Sequence, residues 1–236
     1  MAPSAAMIGD ISSHTVRTFD QELDRLTRMI AQMGGFAETQ VRDAVEALMT
    51  RDASAAEMII ARDREVDALE ERIDQFAIRL LATRQPVAVD LRTIAMALKI
   101  TNDLERISDY AVSIAKRVRK LADLPHIRPL YTVPRMGEVA HDMVRDVLDA
   151  YIERDYNKAV AVWHRDSEVD DLYDGMVREL ITYMLEDVRH IAACIELQFV
   201  AKNIERIGDH ATNIAEKVKY MINGEEINPR RHRLEF

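Results

Sequence analysis

The sequence has little of what breaks or cross-links a chain. Its 236 residues include one cysteine, seven glycines, six prolines and one tryptophan, with aromatics at 6%. A lone cysteine, Cys194, excludes an internal disulfide and suits a reducing compartment. It stands in an apolar helical stretch and is expected to be a buried packing residue. So few glycines and prolines leave little room for the turns of a β fold and favour long unbroken helices. Excess positive charge is also missing. The formal net charge is −9, which argues against nucleic acid as the main ligand, because phosphate binding needs a basic face. No apolar run approaches the roughly 20 residues that span a bilayer. The opening MAPSAAMIGDISS has neither the basic region nor the apolar core of a secretory signal. With 48% hydrophobic and 31% charged residues, the chain can bury a core. The expectation is a cytoplasmic, helical protein without direct membrane insertion.

What the chain does contain is a repeat. Asp103–Lys116, DLERISDYAVSIAK, returns as Asn203–Glu216, NIERIGDHATNIAE, with seven of fourteen positions identical. Around the copies run equivalent apolar ladders. They are Ile100, Leu104, Ile107, Ala111, Ile114 and Val118, and Val200, Ile204, Ile207, Ala211, Ile214 and Val218. Steps of 4 and 3 make each ladder the seam of a helix packed along another. Upstream, Val144-Arg145-Asp146 repeats Val41-Arg42-Asp43 at an offset of 103 (144 − 41). RDSEVDDL from Arg165 repeats RDREVDAL from Arg62 at the same offset (165 − 62). The last helix repeats at 100 (205 − 105), so the second copy is three residues shorter around the turn at Pro86. Three matched segments in one order mean a duplicated three-helix unit.

Amphipathic spacing begins at Phe19 and continues through Leu23, Leu26, Ile30 and Met33 to Val41, Val45 and Leu48. Gly34-Gly35 interrupts it, and one helix with a weak point or a close contact is preferred to two short ones. Asp52 can cap the next helix, which the spacing predicts over 53–83. Gln85-Pro86 ends it, and a third helix spans 87–121. LADLPHIRPLYTVPR, with Pro125, Pro129 and Pro134, reads as the hinge between halves. Asn223-Gly224 is a helix stop. The expected fold class is therefore all-α, with two tandem three-helix bundles of six long antiparallel helices. The expected segments are a loose leader 1–16, a first repeat 17–122, a linker 123–134, a second repeat 135–223 and a tail 224–236.

Each half carries two acidic pairs one helical turn apart. Asp63 and Asp67 stand on the second helix and Glu105 and Asp109 on the third. Asp166 and Asp170 stand on the fifth, and Glu205 and Asp209 on the sixth. If neighbouring helices run antiparallel, four carboxylates converge in each half, off the core seam. Such oxygen donors suit Fe, Mn, Mg or Ca, and Zn with less preference. Without a cation, like charges at i, i+4 cost a few tenths of a kcal/mol per pair. The ordinary alternative is a solvated acidic face neutralised by Arg106 and Arg206. A ferritin-like centre would want Glu-x-x-His pairs, and none occurs on these helices. His210 points elsewhere than Asp209, and no phosphate loop or nucleophile elbow is present.

The Asp/Glu-x-x-x-Asp pairs, NIERIGDHATNIAE, Gln85-Pro86 followed by Asp90-Leu91-Arg92, and the two-fold repeat resemble the PhoU family of bacterial phosphate-transport accessory proteins and phosphate-regulon regulators. The resemblance covers about residues 14–223. It implies a non-enzymatic negative regulator with multinuclear iron or zinc clusters, one per repeat. One cluster would use Asp63, Asp67, Glu105 and Asp109, and the other Asp166, Asp170, Glu205 and Asp209. Implied partners are the phosphate-sensing histidine kinase (PhoR-like), the ATPase of the high-affinity phosphate transporter (PstB-like) and a second copy in a homodimer. The first copy departs from the family, reading Ser108-Asp109-Tyr110 where the family has Gly-Asp-His, a change expected to crowd or alter the first cluster. Two rival readings are a carboxylate-bridged metalloenzyme, redox or hydrolytic, and an accessory of a low-affinity phosphate permease.

Overall fold

The computed structural model describes residues 5–127 and 132–225, with side chains from Thr18 onward. Among the described residues the regular elements are six α-helices and one short 3₁₀ turn, with no strand. The helices are α1 (Ala5–Thr50), α2 (Ala53–Arg84), α3 (Ala88–Leu121), α4 (Thr132–Glu153), α5 (Tyr156–Glu186) and α6 (Ile191–Asn223). The 3₁₀ turn, Val188–His190, joins α5 to α6. The all-α expectation and the two three-helix units hold. One unit is α1–α2–α3 and the other is α4–α5–α6, and α3 packs along α6 to join them.

The corners repeat as the sequence does. Arg51 and Arg154, 103 residues apart (154 − 51), end α1 and α4 with φ of 52° and 53°. Asp52 then accepts from Ser54 N at 2.8 Å and Ala55 N at 2.9 Å. Asp155 likewise accepts from Asn157 N and Lys158 N. Each cap supplies partners for amide groups that the first helical turn leaves without any. Gly224 closes α6 at φ 72°, and Arg92 donates to the Met221 and Ile222 carbonyls at 3.1 and 3.4 Å. A cation there also suits the negative end of the helix dipole.

Two boundaries differ from expectation. Residues 5–16, read as a loose leader, continue α1. Only Gly9 interrupts them after Pro3, and a nucleated helix extends at one hydrogen bond per residue until a breaker stops it. α4 begins at Thr132 rather than 135, so Pro134 lies in its first turn, where a missing N–H costs nothing. Residues 1–4, Pro129 in the linker and 226–236 of the tail lie outside the described residues.

Gly34 does not divide α1. A Cβ there would fall on the side chain of Leu148 in α4. Gly137, its counterpart 103 residues on (137 − 34), would set a Cβ 2.7 Å from Val45 Cγ2 in α1. Val45 and Leu148 are themselves counterparts (148 − 45), so the two contacts mirror each other across an internal pseudo-two-fold axis. Each glycine admits the other half's aliphatic side chain to near-backbone distance. Gly35 faces outward, and a Cβ there meets nothing within 4 Å.

This predicts opposite effects of alanine in urea unfolding. Gly35→Ala should raise stability by about 0.5–1 kcal/mol. Gly137→Ala should lower it by about 1–3 kcal/mol despite the better helix former, because β-branched Val45 cannot swing aside. Equal gains from both would show that α1 and α4 do not meet closely.

Candidate functional site

Helical spacing puts the acids one turn apart, and the antiparallel hairpins bring the turns together. All eight expected residues fall into two groups, one between α2 and α3 and one between α5 and α6. Their electrostatics show the proximity. Burial pushes the Asp63 carboxyl above its ordinary range, the Ser108 hydroxyl pulls it back, and the charges of Asp67 and Asp109 add to the rise. Burial, then Asp109, pushes Glu105 up to about 7, with Arg106 opposing. In the second group Asp166 is raised by burial and by Asp170, and further by Glu205 and Glu216. Asp170 is raised by burial, Glu205 and Asp209, and Asp209 by burial, Glu205 and Asp166.

The acids are less exposed than a single-seam reading implies. α3 is covered on three sides, by α1, α2 and α6, and α6 likewise by α3, α4 and α5. Away from the main seam, Glu105 and Glu205 therefore meet a second helix rather than solvent. Their side chains are 18% and 12% exposed, and each leaves its Oε2 buried without a hydrogen-bond partner. Of the eight, only Asp67 and Asp170 are exposed rather than half-buried. Cations stand at the edge: Arg106 reaches Glu105 at 3.3 Å and Asp109 at 3.1 Å, and Lys202 reaches Glu205 at 2.6 Å.

Residues beyond the eight make the two groups unequal. Glu70 joins the first, raised by burial and by Asp74 and Asp67. It lies seven residues after Asp63, on the same face, a spacing that was available in the sequence. Its counterpart in the second repeat is Tyr173, which lies over Lys202 at 5.1 Å. Glu216 joins the second group, while its counterpart Lys116 lowers Asp63 in the first. Ser108 Oγ lies 3.0 Å from Asp63 Oδ1 and within reach of the Gln40 amide, whose Nε2 is buried and unpaired. A hydroxyl has one proton to give. With the amide turned over, Gln40 donates to Ser108 and Ser108 donates to Asp63, and all three are satisfied. The second repeat has Met143 and Gly208 at these places. A Cβ on Gly208 would stand 3.7 Å from Asp166 Oδ1, so the space that Ser108 fills in the first site stays open in the second. Thr212 faces Asp166 and draws it down, though its buried hydroxyl makes no hydrogen bond of full geometry.

Tyr110 does not crowd the first group. Its ring lies 5.6 Å from that of His210, where α3 crosses α6. His210 Nδ1 pairs there with buried Asp103 at 3.0 Å, and Lys217 Nζ reaches the other Asp103 oxygen at 2.6 Å. His210 thus belongs to the joint between halves. Cys194 is buried, as expected, and burial pushes its thiol up.

In kind, these donors suit a hard or borderline cation. Carboxylates are gathered against their mutual repulsion, and one buried oxygen each of Glu105 and Glu205 makes no hydrogen bond. In position, no three of the described Asp, Glu, His and Cys side chains surround one point closely enough to hold an ion. Side-chain rotation within the grooves would have to complete such a set.

The PhoU domain family matches the chain at residues 30–118 and 133–218, once per repeat. A phosphate-specific transport system accessory protein PhoU homolog of Caulobacter vibrioides is 46% identical over 226 residues, covering 95% of this chain and 98% of that one. The crystal structure of PhoU from Pseudomonas aeruginosa superposes with a TM-score of 0.85 at 39% identity, over 88% of this chain and 100% of that one. The phosphate transport system regulatory protein PhoU from Streptococcus pneumoniae gives 0.83 at 28% identity, over 89% and 99%.

Glu105 makes the site's pH dependence testable. Its folded value, about 7, lies above the ordinary 4.5. The stability it lends is complete below pH 4.5 and lost as the pH rises through 7. Without added metal, the unfolding free energy of wild type minus that of Glu105→Gln should therefore fall between those pH values. Parallel curves would mean that Glu105 is solvated.

Proposed function

Since the chain belongs to the PhoU family, we propose that it is a regulatory accessory of a phosphate transport system, binding metal through its two carboxylate groups. The observation that carries this reading is the family match across both repeats, with relatives named for phosphate-specific transport aligned over nearly their whole length. The partners that fit are the transporter's ATPase subunit and a phosphate-sensing histidine kinase, with the chain restraining the kinase when phosphate is plentiful and working as a homodimer. No described helix is long and apolar enough to cross a membrane, so contact with the transporter runs through protein surfaces.

Iron or zinc would be held by Asp63, Asp67, Glu105 and Asp109 in the first repeat, and by Asp166, Asp170, Glu205 and Asp209 in the second. When bound, the metal supplies positive charge that reverses the sign of the carboxylate repulsion. The chain's own residues set how tightly each site holds its acids. Ser108 fixes Asp63 in the first, whereas Asp166 keeps an open neighbour at Gly208. Arg106 and Lys202 compete with any cation at the rims.

Two measurements test the reading separately. Cells lacking the chain should express phosphate-starvation genes in phosphate-rich medium, and the wild-type chain should restore silence. Unchanged expression would refute the regulatory role. Elemental analysis of protein purified without chelator should find several metal atoms per chain, with about half lost in Glu205→Ala/Asp209→Ala. Equal and negligible metal in both would leave the acids as a docking face for a basic partner.

A further inference from the structure

The two grooves carry nearly the same charge. Each adds one acid to its four, Glu70 in the first and Glu216 in the second. Asp74 and Asp174 act from one turn beyond Glu70 and Asp170. Each groove also has two cations at hand, Arg106 and Lys116 in the first and Lys202 and Arg206 in the second. Charge therefore gives a metal ion little preference between them. Hydrogen bonding does separate them. Gln40 on α1 is 4% exposed and Ser108 on α3 is 1% exposed. With the Gln40 amide donating to Ser108, the Ser108 hydroxyl donates to Asp63 on α2 at 3.0 Å. Three helices of the first unit thus hold one carboxylate. The second unit sets Met143 and Gly208 at the places of Gln40 and Ser108, and neither side chain can donate. Thr212 faces Asp166 there, but its hydroxyl makes no hydrogen bond of full geometry.

We propose that the Ser108 hydroxyl makes the first groove the weaker metal site, so that metal enters the second groove first. This order rests on the metal reading above, and both grooves still fill when metal is plentiful. Geometry sets its sign. Hydrogen bonds to a ligating carboxylate usually strengthen a metal site, because they hold the ligand where the ion needs it. Here no three of the described Asp, Glu, His and Cys side chains surround one point, so carboxylates must turn before an ion is held. Glu105 and Glu205 each offer it a buried oxygen without a partner, the same first donor in both grooves. The rims are alike too, since Arg106 must leave Glu105 in one and Lys202 must leave Glu205 in the other. Asp63 is different. When it turns away, Ser108 gives its proton to the Gln40 carbonyl, and Gln40 Nε2 is left buried without a partner. That cost falls on the first groove alone. Asp166 turns beside Gly208, where even an added Cβ would stand 3.7 Å from its Oδ1, and breaks no such chain.

Calorimetric titration of the metal-free full chain with zinc decides the order. Wild type should show a tighter and a weaker class of site. Glu205→Ala/Asp209→Ala should lose the tighter class, and Glu105→Ala/Asp109→Ala the weaker. In the Glu205→Ala/Asp209→Ala background, Ser108→Ala should tighten the remaining class roughly tenfold, the weight of one hydrogen bond to a charged group. Gln40→Met/Ser108→Gly, which gives the first groove the residues that stand in the second, should gain as much. Gly208→Ser in the otherwise wild-type chain should weaken the tighter class. Circular dichroism should show every variant helical. A first groove no weaker than the second would overturn the proposal. So would an affinity unchanged or lowered when the hydroxyl is lost, which would make Ser108 an orienting partner of its ligand. A wild type that binds no zinc would overturn the metal reading itself, a failure distinct from these two.

Discussion

The structure depends on the packing of α3 along α6. Each of these helices is buried on three sides, so each must satisfy neighbours in its own repeat and in the other. The one acid fully enclosed at their crossing, Asp103, is matched by His210 and Lys217 from the opposite helix. A buried carboxylate with a single cationic neighbour removed would be costly, so this cluster ties the register of one half to the other. The same crossing sets how far the outer helices stand from the central pair. That distance defines the two grooves in which the acids collect.

The grooves follow from this arrangement and not from acid placement alone. A helix with one buried seam shows its other face to water, and charges there cost little. A helix with three neighbours has hardly any such face. Glu105 and Glu205 are consequently held where burial disfavours their charge, beside other acids that disfavour it further. The molecule tolerates this at two equivalent places, and it spends cationic side chains, Arg106 and Lys202, at both rims.

Much of this was legible in the residues. The 3.6-residue spacing gave the helices, and the offsets of 103 and 100 gave the duplication. Asp52 and Gly224 marked ends that the structure places as caps. The choice of one helix through Gly34 was also sound, because the glycine serves a close contact rather than a break. The eight acids fall into the two groups that antiparallel pairing requires. What stayed hidden was whatever depends on a third neighbour. A one-dimensional pattern shows a seam but not how many seams a helix has, so the half-burial of Glu105 and Glu205 was missed. Ser108 stood out as a departure in the first copy, but nothing in the sequence marked Gln40, 68 residues away, as its partner. Glu70 and Glu216 were visible at i+7 from Asp63 and Asp209, yet single acids on charged helices attract no notice. The leader was misread because weak amphipathicity resembles disorder, whereas an existing helix needs only the absence of a breaker to continue.

The reciprocal fit of Gly34 against Leu148 and of Gly137 against Val45 has a consequence for what the duplication permits. Two identical three-helix units meeting through that contact would be bound by symmetry to carry identical sites, since every substitution would appear twice. Joining them in one chain keeps the contact and removes the constraint. Glycine can then serve at 208 while serine serves at 108, and lysine can stand at 116 where 216 has glutamate. Covalent linkage thus lets one scaffold hold two related acidic grooves that differ residue by residue, an asymmetry closed to any symmetric pair.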